Sequence, residues 1–157
     1  LLLDFIISIK TKNDASVRIS VEKNGLSECC EFIDYLPHEQ IISEQKSASV
    51  LLLSINNYGS AENGFFSPKA TLTGKLFEYL ASGKPILMVG PNDGQAAHVV
   101  LNDSMNRVVD FNDKLAMKKA LMELFFDRNR EKESSPNSQY SRKELTREMA
   151  ELFNRLS

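Results

Sequence analysis

The chain has 157 residues, 42% hydrophobic and 25% charged, an ordinary globular composition with room for one domain and a real core. A net charge of -2 argues against nucleic acid or an anionic membrane surface as a general partner. No apolar run reaches the length of a bilayer span, so no transmembrane segment is expected.

Residues 1–9 form a nearly continuous apolar run, interrupted at Asp4, with the β-branched content of a strand buried on both faces of a parallel sheet. The run lacks a basic leader and a small-residue cleavage site, which makes it a strand rather than a signal peptide. The chain opens at Leu1 without an initiator methionine and reads as a piece of something longer. Asp14 is placed to cap a helix carrying Ala15, Val17, Ile19 and Val21, with Asn24-Gly25 as its stop. The alternation of Val17, Ile19 and Val21 equally suits a strand. Cys29 and Cys30 are neighbours whose side chains point to opposite faces of a strand, so both are expected to be reduced, and no zinc-ligand spacing surrounds them.

A second strand is expected over residues 29–35, closed by Leu36-Pro37, and a helix from Pro37 to Ser47 with Glu39 in its first turn. Residues 49–55 are the most strongly apolar strand. The loop 56–70 is longer than most connections, which suggests a functional role, and Phe65-Phe66 in it could cover a ligand or plug the core. Residues 71–85 read as a loop and a short helix that stops at Gly83, leading into a buried strand, 85–89. The turn 90–94, a helix through Ala96–Leu101, a strand at 106–111 and a helix capped by Asn112 or Asp113 follow. In that last helix Leu115, Ala116, Ala120, Leu121, Leu124 and Phe125 repeat at helical spacing. Residues 127–137 are polar, and the C-terminal helix within 138–157 carries Leu145, Met149, Leu152, Phe153 and Leu156 on one stripe. Strands alternating with helices predict an α/β fold, a doubly wound and mainly parallel sheet in a single domain, 1–157.

In such sheets ligands bind beyond the carboxyl ends of the strands. The segment after the long loop puts a helix N-terminus at that edge, where unpaired N–H groups and the helix dipole at Leu72, Thr73 and Gly74 favour an anion and Gly74 admits close approach. Glu78, one turn on, is placed to accept hydrogen bonds from a sugar diol. His38 and His98 have no carboxylate or serine partner in the sequence and are expected on the surface, and Asp93-Gly94 is explained as a turn.

The run Thr73-Gly74-Lys75-Leu76-Phe77-Glu78-Tyr79-Leu80-Ala81-Ser82-Gly83-Lys84-Pro85-Ile86-Leu87 resembles the nucleotide-sugar-binding segment in the C-terminal half of GT-B glycosyltransferases of the retaining family 4 type. Flanking matches from residues 31–39 to 140–146 extend the resemblance over nearly the whole chain. It implies a Rossmann-like half of a GT-B fold, which holds a UDP- or GDP-type sugar donor as substrate and needs no separate cofactor or metal. Glu78 would bind the ribose hydroxyls, backbone groups of Leu72, Thr73 and Gly74 would face the diphosphate, and Tyr35 and Leu36 would flank the base. Lys75 either reaches a phosphate or stays solvated. A cytoplasmic location is implied, with a peripheral place at the inner membrane face in a parent enzyme.

Two departures qualify the resemblance. The family's first glutamate falls on Ala70, and residues 1–9 align with the family's second strand, so its first strand and the N-terminal acceptor-binding domain lie outside the sequence. The isolated chain is therefore expected to bind a donor without transferring its sugar. The missing central strand predicts either direct pairing of residues 1–9 with 49–55 or a homo-oligomer built through unpaired strand edges. The alternative is a degenerate α/β interaction or scaffold module that has lost the nucleotide site.

Overall fold

The computed structural model describes residues 7–10, 15–55, 67–127, 140 and 142–156. The chain divides into two compact units, Leu1–Ser43 and Glu44–Ser157. The expectations for Asp14, for Phe65-Phe66, for most of the long loop and for the polar segment after residue 127 lie outside the described residues.

In the N-terminal unit β1 (Ile7–Lys10) is followed by α1 (Ala15–Lys23), a 3-10 turn at Ser27–Cys29 and β2 (Cys30–Ile33). The two strands are parallel, in register from Ile7 opposite Cys30 to Lys10 opposite Ile33. The ambiguous stretch after residue 14 is thus a helix. Its end explains why: Gly25 takes φ 66°, its N–H donates to Glu22 O at 3.0 Å, and the Leu26 N–H donates to Val21 O at 3.0 Å. This pair of bonds satisfies the last carbonyls and needs a left-handed residue that glycine adopts without strain. Val21 is buried, and the Arg18 guanidinium lies 4.1 Å from the centroid of the Phe32 ring. Cys29 and Cys30 are free thiols, as expected.

Helix α2 (His38–Ser47) runs across the boundary between the units. The C-terminal unit then builds β3 (Leu51–Ser54), a 3-10 turn at Pro68–Ala70, α3 (Gly74–Ser82), β4 (Ile86–Val89), α4 (Gln95–Leu101), β5 (Arg107–Val109), α5 (Lys114–Asp127) and α6 (Arg142–Leu156). Its sheet is parallel throughout, in the order β3-β4-β5. β1 pairs β2 in one unit and β3 pairs β4 in the other; most of residues 1–9, expected to pair with 49–55, lie outside the described residues. Strands joined by one crossover helix tend to lie side by side, and α1 joins β1 to β2 in that way.

All four residues of β4 are buried, because helices cover both of its faces. On one face Ile86 and Met88 pack with Leu53 and Ile55, with Leu76 and Leu80 of α3, and with Ala96, Ala97 and Val100 of α4. On the other, Leu87, Val89 and Val109 meet Ala120 and Leu124 of α5. β3 alternates instead, Leu51 and Leu53 inward and Leu52 exposed, so its continuous apolar run does not mean burial on both faces. In α5 the inward stripe is Ala116, Ala120 and Leu124, with Met117 beside it. Leu115, expected on that stripe, is 80% exposed, since it lies off the line of residues spaced by four.

Among the described residues of this unit, Asn106 is the buried polar side chain. Its Oδ1 accepts from the Ile86 N–H at 2.9 Å, and its Nδ2 donates to Val100 O at 2.8 Å. One side chain thus closes the start of β4 and the end of α4. Asn106→Ala leaves the buried Ile86 N–H unpaired, while Val100 O still accepts from the backbone N–H groups of Asn102 and Asp103, and is expected to lower the unfolding free energy by about 1–3 kcal/mol. Urea denaturation measures this; a loss within about 0.5 kcal/mol, the range of an ordinary surface change, would contradict it.

Candidate functional site

The candidate site lies where the chain passes from the turn Pro68–Ala70 into α3, beside the loop that follows β4. Both segments follow the carboxyl ends of parallel strands. The entry to α3 is built by local bonds. Ala70 N–H donates to Ser67 O at 3.0 Å, the Thr71 hydroxyl donates to the same carbonyl at 3.1 Å, and Thr71 N–H donates to Pro68 O at 3.3 Å. Thr73 is the N-cap: its backbone is extended, and its hydroxyl accepts from the Leu76 N–H at 3.3 Å. The helix is then held from below by Leu76 and Leu80, both buried in the core, and ended by Gly83 at φ 70°.

Thr73 therefore spends its side-chain oxygen on capping, while no described residue accepts a hydrogen bond from the Gly74 or Lys75 N–H. These two donors point out of the first turn, where the helix dipole places partial positive charge. Gly74 differs from the other described glycines. Gly25 and Gly83 take positive φ. A Cβ on Gly90 would lie 2.9 Å from Ile55 Cβ, and one on Gly94 would lie 3.1 Å from Lys69 O. Around Gly74 a Cβ would meet nothing within 4 Å. Neither backbone conformation nor internal packing demands glycine there.

The other expected residues are placed as follows. Leu72, Lys75 and Glu78 are exposed along the same loop and helix. Tyr79 is half-buried, and its phenol is pushed up from the ordinary value, first by burial and then by the neighbouring Glu78 carboxylate. Ala70, at the end of the 3-10 turn, is exposed and contributes no acid. Tyr35, 90% exposed, and half-buried Leu36 follow β2 in the N-terminal unit. His38 and His98 are both exposed. Among the described residues no group of histidine, cysteine, aspartate and glutamate could hold a metal ion, and no helix is long and apolar enough to cross a membrane.

One contact at the site has no sequence precursor. Lys69 forms an ion pair with Asp93, and Gly94 lies against the Lys69 backbone, so the turn before α3 is latched to the loop after β4. Asp93-Gly94 is a turn, as expected, but its carboxylate also has this partner. No local pattern links residues 24 positions apart. The Lys69 hydrogen bond, and secondarily its charge, hold the Asp93 carboxyl below its ordinary value of 3.8. The latch therefore contributes stability above pH 3.8 and loses it as pH falls through the lower folded-state value. Carbon-detected NMR titration of the Asp93 carboxyl is expected to give a midpoint below 3.8 that moves back toward 3.8 in Lys69→Met. A midpoint unaffected by that substitution would break the assignment.

Compared with family models, with curated proteins and with solved structures, the chain gives no match.

Proposed function

We propose that this chain is a Rossmann-like donor-binding half of a retaining glycosyltransferase, one that holds the diphosphate of a UDP- or GDP-linked sugar at the start of α3. The observation that carries the reading is Gly74, a glycine with open space where its side chain would be, followed by two N–H donors that no described residue engages. A phosphate approaching such a first turn receives backbone hydrogen bonds and the favourable end of the dipole, and a side chain at residue 74 would stand in its way. The exposed Glu78 carboxylate, one turn along the same helix, is then within reach of ribose hydroxyls. This chemistry, together with the resemblance of residues 73–87 to the family 4 segment, supports the donor-site reading. Tyr35 and Leu36 are assigned to the base on the resemblance alone.

Catalysis in this class rests on stabilising the leaving diphosphate. The chain offers part of that hold. At Ala70, where the resembled enzymes carry the glutamate that contacts the sugar, a methyl group makes no hydrogen bond to a hydroxyl, so the chain alone binds donor and does not transfer sugar. Ala70 equally favours the second reading, an α/β interaction module without a nucleotide site.

Calorimetric titration with UDP and with GDP separates the two. The expected result is saturable binding to one nucleotide, with Kd between about 1 µM and 1 mM, or roughly -8 to -4 kcal/mol. Glu78→Ala weakens it about tenfold through loss of a charged hydrogen bond of roughly 1.5 kcal/mol. Gly74→Ala is expected to weaken binding at least tenfold while the melting temperature stays within a few degrees, because a Cβ there meets no atom within 4 Å. No binding of either nucleotide by the intact chain would favour the interaction module.

A further inference from the structure

Helix α6 forms where expected, yet none of its described side chains is buried. Leu145, Met149 and Leu152 are 47%, 60% and 56% exposed. They recur at intervals of four and three residues, with Phe153, also exposed, beside them, an apolar stripe at the spacing that packs one helix against another. The charges beside the seam are sorted. Arg147 is ion-paired along the helix with Glu144 and Glu151, which leaves Glu148 and Arg155 with no ion-pair partner among the described residues. Both flank the seam on the same side, seven positions apart, in the place that coiled coils use to choose partner and direction.

We propose that α6 pairs with α6 of a second copy of this chain, antiparallel, about a twofold axis near the middle of the helix. In that arrangement Met149 stacks across from Leu152 of the other copy, and Glu148 of each copy faces Arg155 of the other, giving two identical ion pairs by symmetry. A parallel in-register pair would place Glu148 beside Phe153 and leave Arg155 without an acid. The charge pattern therefore selects both the occupant and its direction. The helix is 15 residues long, about 22 Å, and a seam of that length falls below about 1,200 Å², the range of weak and reversible association.

Sedimentation equilibrium of the full chain tests this, run from about 10 µM to 1 mM, the range where a weak complex forms. A reversible monomer–dimer equilibrium is expected. Glu148→Arg and Arg155→Glu each set like charges against one another twice, and each is expected to weaken dimerisation by about tenfold or more. Mixing the two variants in equal amounts restores both ion pairs in a heterodimer, and is expected to recover the original affinity to within about threefold, the usual spread of such context effects. Both substitutions are on exposed positions of α6, and unchanged circular dichroism checks that the helix persists. A chain that stays monomeric at the highest concentration would overturn the proposal, with α6 then left for a different protein or another segment. A dimer indifferent to both charge reversals, or singles that fail to complement when mixed, would overturn it as well.

Discussion

The C-terminal unit depends on β4 having no face in water. Ile86, Leu87, Met88 and Val89 are all buried, so every polar group of that strand's backbone must find a partner within the protein. The two flanking strands supply most of them. The ends are harder, because a ladder runs out there. At the start, the Ile86 N–H is taken by Asn106; beyond the other end, the Ile55 N–H donates to Val89 O and the Gly90 N–H to Val109 O. Burying a polar asparagine is costly unless both ends of its amide are used, and here both are.

From that strand the geometry passes outward to the candidate site. The chain must leave β4 directly beneath Ile55, where only a residue without a side chain fits, and Gly90 is that residue. Four positions later Gly94 comes against the Lys69 backbone in the same way. The loop after β4 is thereby pressed onto the turn before α3, and the Lys69–Asp93 pair ties the two. An isolated nine-residue helix such as α3 is not stable in water, since nucleation outweighs so few hydrogen bonds. It is stabilised instead by its ends and its underside: the Thr73 cap, the Gly83 stop, and burial of Leu76 and Leu80 at about 1.5–3 kcal/mol each. The first turn that carries the two open N–H groups is consequently set on a fixed support.

What could be read from the chain alone was what depends on neighbours in sequence. Gly83 and Asn24-Gly25 as stops, Asp113 accepting from the Ala116 N–H, and the buried run of β4 each follow from a few adjacent residues. The register and partnering of strands do not. β1 pairs β2, two strands joined by the crossover helix α1, and no side-chain pattern in either strand announces that pairing. Asn106 is, in the sequence, only the first residue of an expected short strand. Its importance comes from Ile86, 20 positions away. Leu115 departs from its expected stripe for a related reason: an apolar residue marks a position that could be buried, while the neighbouring element decides whether it is. Of the candidate site, the stretch from Leu72 to Glu78 could be singled out because it is contiguous. The latch that holds them was not, because Lys69 and Asp93 come together only in the fold.

The division of labour at α3 bears on what kind of recognition the proposed site can perform. Backbone N–H groups at a helix start favour an anion by charge and by hydrogen bonding, but they cannot tell one phosphate ester from another. Discrimination has to come from side chains that reach the rest of the ligand. Along α3 the group able to accept from a diol is Glu78, while Thr73 is committed to its cap, Lys75 can donate but not accept, and Ala70 offers nothing polar. A site composed in this way would be strict about the diphosphate, moderately selective for a ribose-bearing ligand, and nearly blind to the sugar beyond it. On the proposed reading, sugar identity and acceptor choice must then be set by groups that face the donor from outside α3. This is the same conclusion that Ala70 reaches from the side of catalysis.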